Sequence, residues 1–190
     1  MDMLIPILIG IGLAASAGLR VFLPMLILSV FAKLEWIELA AKFDWLDSNP
    51  ALIMLSVATI IEMISLYIPI VDQFLKTIAT PLAAASGVLL TIAMIGDMDP
   101  LFSWSFAVFG GGTIAVVTQL VSLTLRGITT VVTFGIGNIF YNFLEGLLSI
   151  VLIILSIIFP FFVLFFIGVV IYLFIKFFIK RNKLKGGAVS

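Results

Sequence analysis

The 190-residue chain contains no cysteine and no histidine. Those two absences exclude disulfides, thiol catalysis, zinc sites built on Cys or His, haem with a His ligand, and Ser-His-Asp chemistry. Charge is scarce as well: charged residues make up 11% of the chain, against about 25% in soluble domains. Ten basic and ten acidic residues give a formal net charge of zero, so no strongly basic surface points to nucleic acid. What is abundant is apolar surface, with 63% of residues apolar and a mean hydropathy of +1.36. Several apolar runs exceed about 18 residues, the mark of membrane-crossing helices. The start, Met1-Asp2-Met3, carries no basic residue ahead of the apolar stretch, which argues against a signal peptide. The expectation is one polytopic, all-α integral membrane domain over residues 1–185, with no cofactor and no metal.

Punctuation divides the chain into six apolar segments. The first runs from about Met3 to Lys33, and the second opens at Asp47-Ser48-Asn49-Pro50 and ends before Pro69. The third opens at Thr80-Pro81 and ends near Gly96; the fourth opens at Asp99-Pro100 and runs to about Phe134. The fifth follows Asn138, and the sixth follows Pro160 and ends near Ile179. Pro after a capping residue suits the first helical position, where its missing N–H needs no partner. The first and fourth segments are too long for one simple span, which needs about 20 residues. Each holds an arginine, Arg20 or Arg126, and helix-weakening residues: Gly10, Gly12, Gly18 and Pro24 in the first, Gly110 to Gly112 and Gly127 in the fourth. A tilted, broken or re-entrant helix satisfies these facts. The order of long Arg segment, Glu segment and further segment recurs, an approximate repeat of residues 1–96 and 100–180. If the long segments cross once the units are inverted, and if they are hairpins the units are parallel; both kinds occur in transporters.

Residues 1–175 carry five basic and ten acidic groups; the other five basic groups are Lys176, Lys180, Arg181, Lys183 and Lys185. This basic tail, residues 180–190 with Lys176 before it, places the C-terminus on the cytoplasmic side. Counting the remaining charges does not separate six crossings from the hairpin arrangement. The stretch Leu34 to Leu46 reads as an interfacial amphipathic helix, with Trp36, Leu39, Ala40 and Phe43 on one face and Glu35, Glu38 and Lys42 on another.

Four ionisable residues lie deep in apolar segments: Arg20, Glu62, Arg126 and Glu145. A central Arg or Asp costs about 2.5–3.5 kcal/mol on insertion scales. Four unpaired groups would cost on the order of 10 kcal/mol, as much as a whole domain's stability. They must therefore be paired or wet, and two positives with two negatives allow full pairing. Each belongs to a polar stripe at helical spacing: Gly12, Ser16 and Arg20; Ser56, Thr59, Glu62 and Ser65; Gln119, Ser122, Arg126, Thr129 or Thr130, and Thr133; Asn138, Tyr141 or Asn142, Glu145 and Ser149. Such stripes either converge on a site or glue helices together. Asp72, shortly after Pro69, caps a short helix from Gln73 to Ala79 or serves as a gate or ion ligand at the membrane face. Asp97 and Asp99 are a weak cation signal better explained by capping. The Gly110-Gly111-Gly112 run lacks the Gly-Lys-Ser/Thr ending of a phosphate loop.

The run Gly12-Leu13-Ala14-Ala15-Ser16-Ala17-Gly18-Leu19-Arg20 resembles the start of a family of small bacterial integral-membrane proteins known as domain of unknown function four-one-two-six. Ile68-Pro69-Ile70-Val71-Asp72, Thr80-Pro81 and Leu144-Glu145 resemble it too, over most of residues 10–160. The chain departs from that pattern at Ile70, where the family has Gly, and at Gly146, where it has an acidic residue. The resemblance implies a bacterial inner-membrane protein and carries no activity.

Three functions remain. The first is a small transporter or channel for an anionic solute or lipid headgroup, with Arg20, Arg126, Glu62, Glu145, Ser16, Gln119, Ser122 and Asp72 as binding residues and a homo-oligomer as the working form. The second is a structural or assembly subunit whose Arg–Glu pairs fix helix packing. The third, a membrane enzyme with a carboxylate base, has the least support, since no carboxylate motif sits on a loop.

Overall fold

The computed structural model describes residues 4–65, 69–96, 98–133, 137–166, 168, 169, 172, 175 and 176. The basic tail, Asp97 and much of the sixth segment lie outside them. All regular structure among the described residues is helical: α1 (Leu4–Ala17), α2 (Phe22–Lys33), a 3₁₀ helix (Ala41–Asp47), α3 (Asn49–Ser65), α4 (Pro69–Ile95), α5 (Pro100–Phe106), a π segment (Ala107–Gly112), α6 (Thr113–Thr133) and α7 (Gly137–Ile158). Ile78–Ile95, Pro100–Thr133 and Phe140–Ile158 are long and apolar enough to cross a membrane. The 3₁₀ helix and α3, bent by 66° about Ser48, would make a fourth. Leu101, Phe109 and Val131 are more than three-quarters exposed, an apolar exterior of the kind that suggests a membrane protein.

The core forms around α1. Every residue from Leu8 to Ala17 is buried, as in a helix that is apolar all round. It packs on α4, α7, α6 and α2, and Leu13, Leu28, Leu90 and Ile153 meet with almost no exposed surface. Small residues let the backbones close in. A Cβ on Gly87 would come within 2.6 Å of the Ala115 Cβ and 2.7 Å of the Gly111 carbonyl, so α4 and the π segment meet only because both positions are glycine.

The first long segment is broken and the fourth is not. After Ala17, the Ser16 carbonyl accepts from the N–H groups of both Leu19 (2.9 Å) and Arg20 (3.0 Å), and the chain turns into α2. Pro24 sits in the first turn of α2, where its missing N–H is harmless. The fourth segment instead continues from Pro100 to Thr133, and its three glycines lie in the π segment. The backbone breaks at Arg20 and stays helical at Arg126, so the two Arg segments differ where the repeat aligns them.

Two expectations about boundaries are corrected. Thr80-Pro81 does not open a helix: Pro81 lies inside α4, which starts at Pro69. A long apolar helix tolerates such a proline where neighbouring groups re-satisfy the freed backbone. This also places Asp72 within the helix, so it is not the cap of a helix beginning at Gln73; its side chain lies outside the described set. Leu34 to Leu46 is not one amphipathic helix. The end of α2 is closed by hydrogen bonds from Glu35 N–H to the Ala32 carbonyl (2.9 Å) and from Trp36 N–H to the Phe31 carbonyl (3.0 Å). Glu35 is left-handed, with φ of 59°, and the Phe31 and Trp36 rings pack at 5.2 Å, a complete helix stop. Only Ala41–Asp47 is helical, as 3₁₀.

Candidate functional site

The break between α1 and α2 puts Arg20, Val21 and Phe22 on the wall of a cavity of about 270 Å³. Leu19, Ala58, Ile61, Glu62, Ser65, Ala79, Leu82, Gln119, Leu123 and Arg126 complete the wall, so α3, α4 and α6 all contribute. The stripes on α3 and α6 thus meet the break in the first segment at one place. Most of the wall is apolar, and the polar groups are few, the usual composition of a small-molecule site.

The charges are not paired two by two. Both arginines converge on Glu145 of α7. Arg126 Nη2 donates to Glu145 Oε2, and Arg20 Nη2 stands 3.8 Å from the same oxygen. The Ser122 hydroxyl donates to Glu145 Oε1, and this carboxylate side chain is only 2% exposed. Arg20 Nη2 also donates to the Asn142 carbonyl at 2.7 Å. Burial of a charge this deep is tolerable when it is paired and hydrogen-bonded on all sides. Glu145 thereby sits behind the cavity wall and fixes the two guanidinium groups.

Glu62 does something the sequence does not reveal. Its Oε1 accepts from the Val21 N–H at 2.8 Å, and its Oε2 accepts from the Phe22 N–H at 3.0 Å. A helix start has about four N–H groups without intrahelical partners. In α2, Glu62 takes those of Val21 and Phe22, and Pro24 has none to satisfy. The full pairing that two positives and two negatives allow is therefore not what forms: the Glu62 hydrogen bonds go to main chain about 40 residues away.

The other predicted residues divide. Gln119 and Arg126 line the cavity, and Ser122 stands behind it with Glu145. Ser16 does not reach it. Its hydroxyl donates to the Leu13 carbonyl at 2.7 Å, and its own carbonyl accepts from Ser149 of α7 at 3.4 Å, so it is a helix-packing position. The lower stripe knits α6 to α7: Thr130 pairs with Asn138, and the Thr133 hydroxyl accepts the Gly137 N–H at 2.9 Å. Asp99 caps α5, accepting the Phe102 N–H at 3.1 Å. Sequence places Tyr141 and Asn142 only within a polar stripe. Tyr141 donates to the Ser122 carbonyl at 3.2 Å and its ring lies 5.9 Å from the Arg126 guanidinium. Their places one turn before Glu145 were the available signal.

No curated protein and no solved structure is detectably similar to this chain. A family model described as Domain of unknown function (DUF4126) matches residues 7–180, which takes in every helix around the cavity except the first turn of α1. The chain belongs to the DUF4126 family.

Proposed function

We propose that this protein is a small membrane transporter or channel that passes an anionic solute or lipid headgroup through the Arg20–Arg126 cavity. The observation that carries the reading is the shared anchor: one carboxylate, Glu145, holds the guanidinium groups of two arginines that both line the cavity. Such an arrangement directs positive charge at the cavity; the α2 N-terminus adds to it and Glu62 offsets it. Broken helices that offer their ends to a ligand in the membrane interior are a transporter device. In this reading the chain has about six segments in two related units, sits in a bacterial inner membrane with its basic tail in the cytoplasm, and works as a homo-oligomer, since one chain of this size offers few helices to enclose a path. The test is anion flux into proteoliposomes, with Arg20→Ala and Arg126→Ala beside the wild type. Flux that falls in both variants supports the site, and unchanged flux in folded variants overturns it.

The second reading, a structural subunit, draws on the completeness of the Ser122–Glu145–Arg126 cluster. It predicts that Arg126→Glu combined with Glu145→Arg restores folding and that the chain carries no solute.

A further inference from the structure

Gln119 is 8% exposed, and its side-chain amide makes no hydrogen bond to any of the described residues. The amide keeps accessible surface nonetheless, and the space it reaches is the cavity that Gln119 lines. A buried amide with its N–H donors and its carbonyl unused is costly unless something from outside the chain takes them up. Leu123 and Arg126 follow Gln119 at spacings of four and three, so the three share one face of α6, and all of them line the cavity. The Ser65 hydroxyl across from them is spent on the Glu62 carbonyl at 2.7 Å. Of the charged side chains on the wall, Arg20 and Arg126 are positive and Glu62 is negative, while Glu145 stands behind the Arg126 guanidinium it holds.

A second observation concerns the mouth. Ile61 of α3 lines the cavity and is still 57% exposed, which places it at the opening. Val57, Ile60 and Ile64 beside it on α3, and Leu120 and Leu125 on α6, are exposed apolar residues. Both helices pack on α4, and the opening between them is rimmed by hydrocarbon, which suits lipid and not water. Resting on the transport reading above, we infer that the cavity takes the headgroup of an anionic phospholipid, which enters sideways from the bilayer between α3 and α6. A phosphate oxygen accepts from the Gln119 amide N–H beside the Arg126 charge, and a headgroup hydroxyl donates to the Gln119 carbonyl oxygen. A cavity of about 270 Å³ is smaller than the roughly 300–1,000 Å³ of sites that enclose a drug-sized molecule, so it holds a headgroup and leaves the acyl chains outside in lipid. No bond is made or broken in this exchange.

The experiment is titration of the full-length chain in detergent with phosphatidylglycerol, read by native mass spectrometry and by melting temperature. One phosphatidylglycerol is expected to bind saturably and to raise the melting temperature. Gln119→Leu keeps the bulk and removes the amide, so it is expected to bind the lipid about tenfold more weakly, as for one lost hydrogen bond to a charged group. Unchanged affinity in Gln119→Leu overturns the inference, as does equal affinity of the wild type for phosphatidylcholine with the same chains. Equal displacement by inorganic phosphate or by glycerophosphoglycerol, the same head without its chains, overturns the assignment to a lipid. Should Gln119→Leu not fold, the wild type alone decides the matter. A phosphatidylglycerol with a diazirine near the glycerol end of one chain is expected to label Ala58, Ile61 or Leu123, and labelling confined to other residues overturns the inference. Phosphatidylglycerol binding at this site by a chain that moves neither anion nor lipid across proteoliposomes would leave this inference standing and remove the transport reading. Arginine-dependent flux of a soluble anion without phosphatidylglycerol binding would do the reverse.

Discussion

The Glu62 carboxylate holds the Val21 N–H at 2.8 Å, and so ties the last turn of α3 to the break in the first apolar segment. Because the same carboxylate takes the Phe22 N–H, its loss uncaps α2 twice. Glu62→Ala is expected to cost about 1–2 kcal/mol, the usual range for a lost N-cap. Glu62→Gln, with one oxygen left, costs less. Thermal unfolding in detergent, followed by circular dichroism, checks both values, and an equal loss in the two variants would contradict the two-oxygen cap.

Glu145 is the deeper charge. Removing it leaves two arginines facing each other, one of them 4% exposed. Glu145→Ala is expected to cost about 3–5 kcal/mol, as for other broken buried pairs. Yield of monodisperse protein and the unfolding midpoint report the loss. A change smaller than that of Glu62→Ala would show that the cluster is not the anchor described.

The meeting of α4 with the π segment gives a matched pair of glycine substitutions. A Cβ on Gly111 would lie 2.6 Å from the Gly87 carbonyl, whereas a Cβ on Gly127 meets nothing within 4 Å. Gly111→Ala is expected to lose about 1–3 kcal/mol through overpacking. Gly127→Ala gains up to about 1 kcal/mol from helix propensity. Opposite shifts of the two melting temperatures are the expected result.

Glu35 ends α2 in the left-handed region, where a side chain is penalised by about 1–2 kcal/mol. Glu35→Gly keeps the closing hydrogen bonds and relieves part of that penalty, so it raises the melting temperature. A fall would show that the Glu35 side chain contributes contacts outweighing the strain.

The interior charges were legible from sequence because an ionisable group in an apolar run has few places to go. Arg20, Glu62, Gln119 and Arg126 do reach one cavity, and Ser122 and Glu145 do stand together behind it. The break at Arg20 was legible from Gly18 and Pro24 as one of three alternatives. The partners were not: spacing along one helix places a side chain on a face but does not say which element meets that face. Full Arg–Glu pairing is therefore allowed by the sequence, whereas the Glu62 acceptors are used by backbone N–H groups that every residue but proline carries. Pro81 misled for a related reason, since a proline signals a helix start in water more reliably than in an apolar helix that neighbours support. The stop after α2 was hidden because Glu35 occupies a position usually given to glycine.

Accessibility of the cavity to an anion is the central claim, and the chain's lack of cysteine allows it to be measured directly. Gln119→Cys places a single thiol on the cavity wall, and Ser156→Cys places one in the fully buried packing of α7. In membrane vesicles, a small anionic thiol reagent is predicted to modify Gln119→Cys faster than a cationic reagent of the same size does, by about tenfold after correction for intrinsic reactivity, and to leave Ser156→Cys unmodified. Equal resistance of the two thiols, or faster modification of Gln119→Cys by the cationic reagent, would contradict the account.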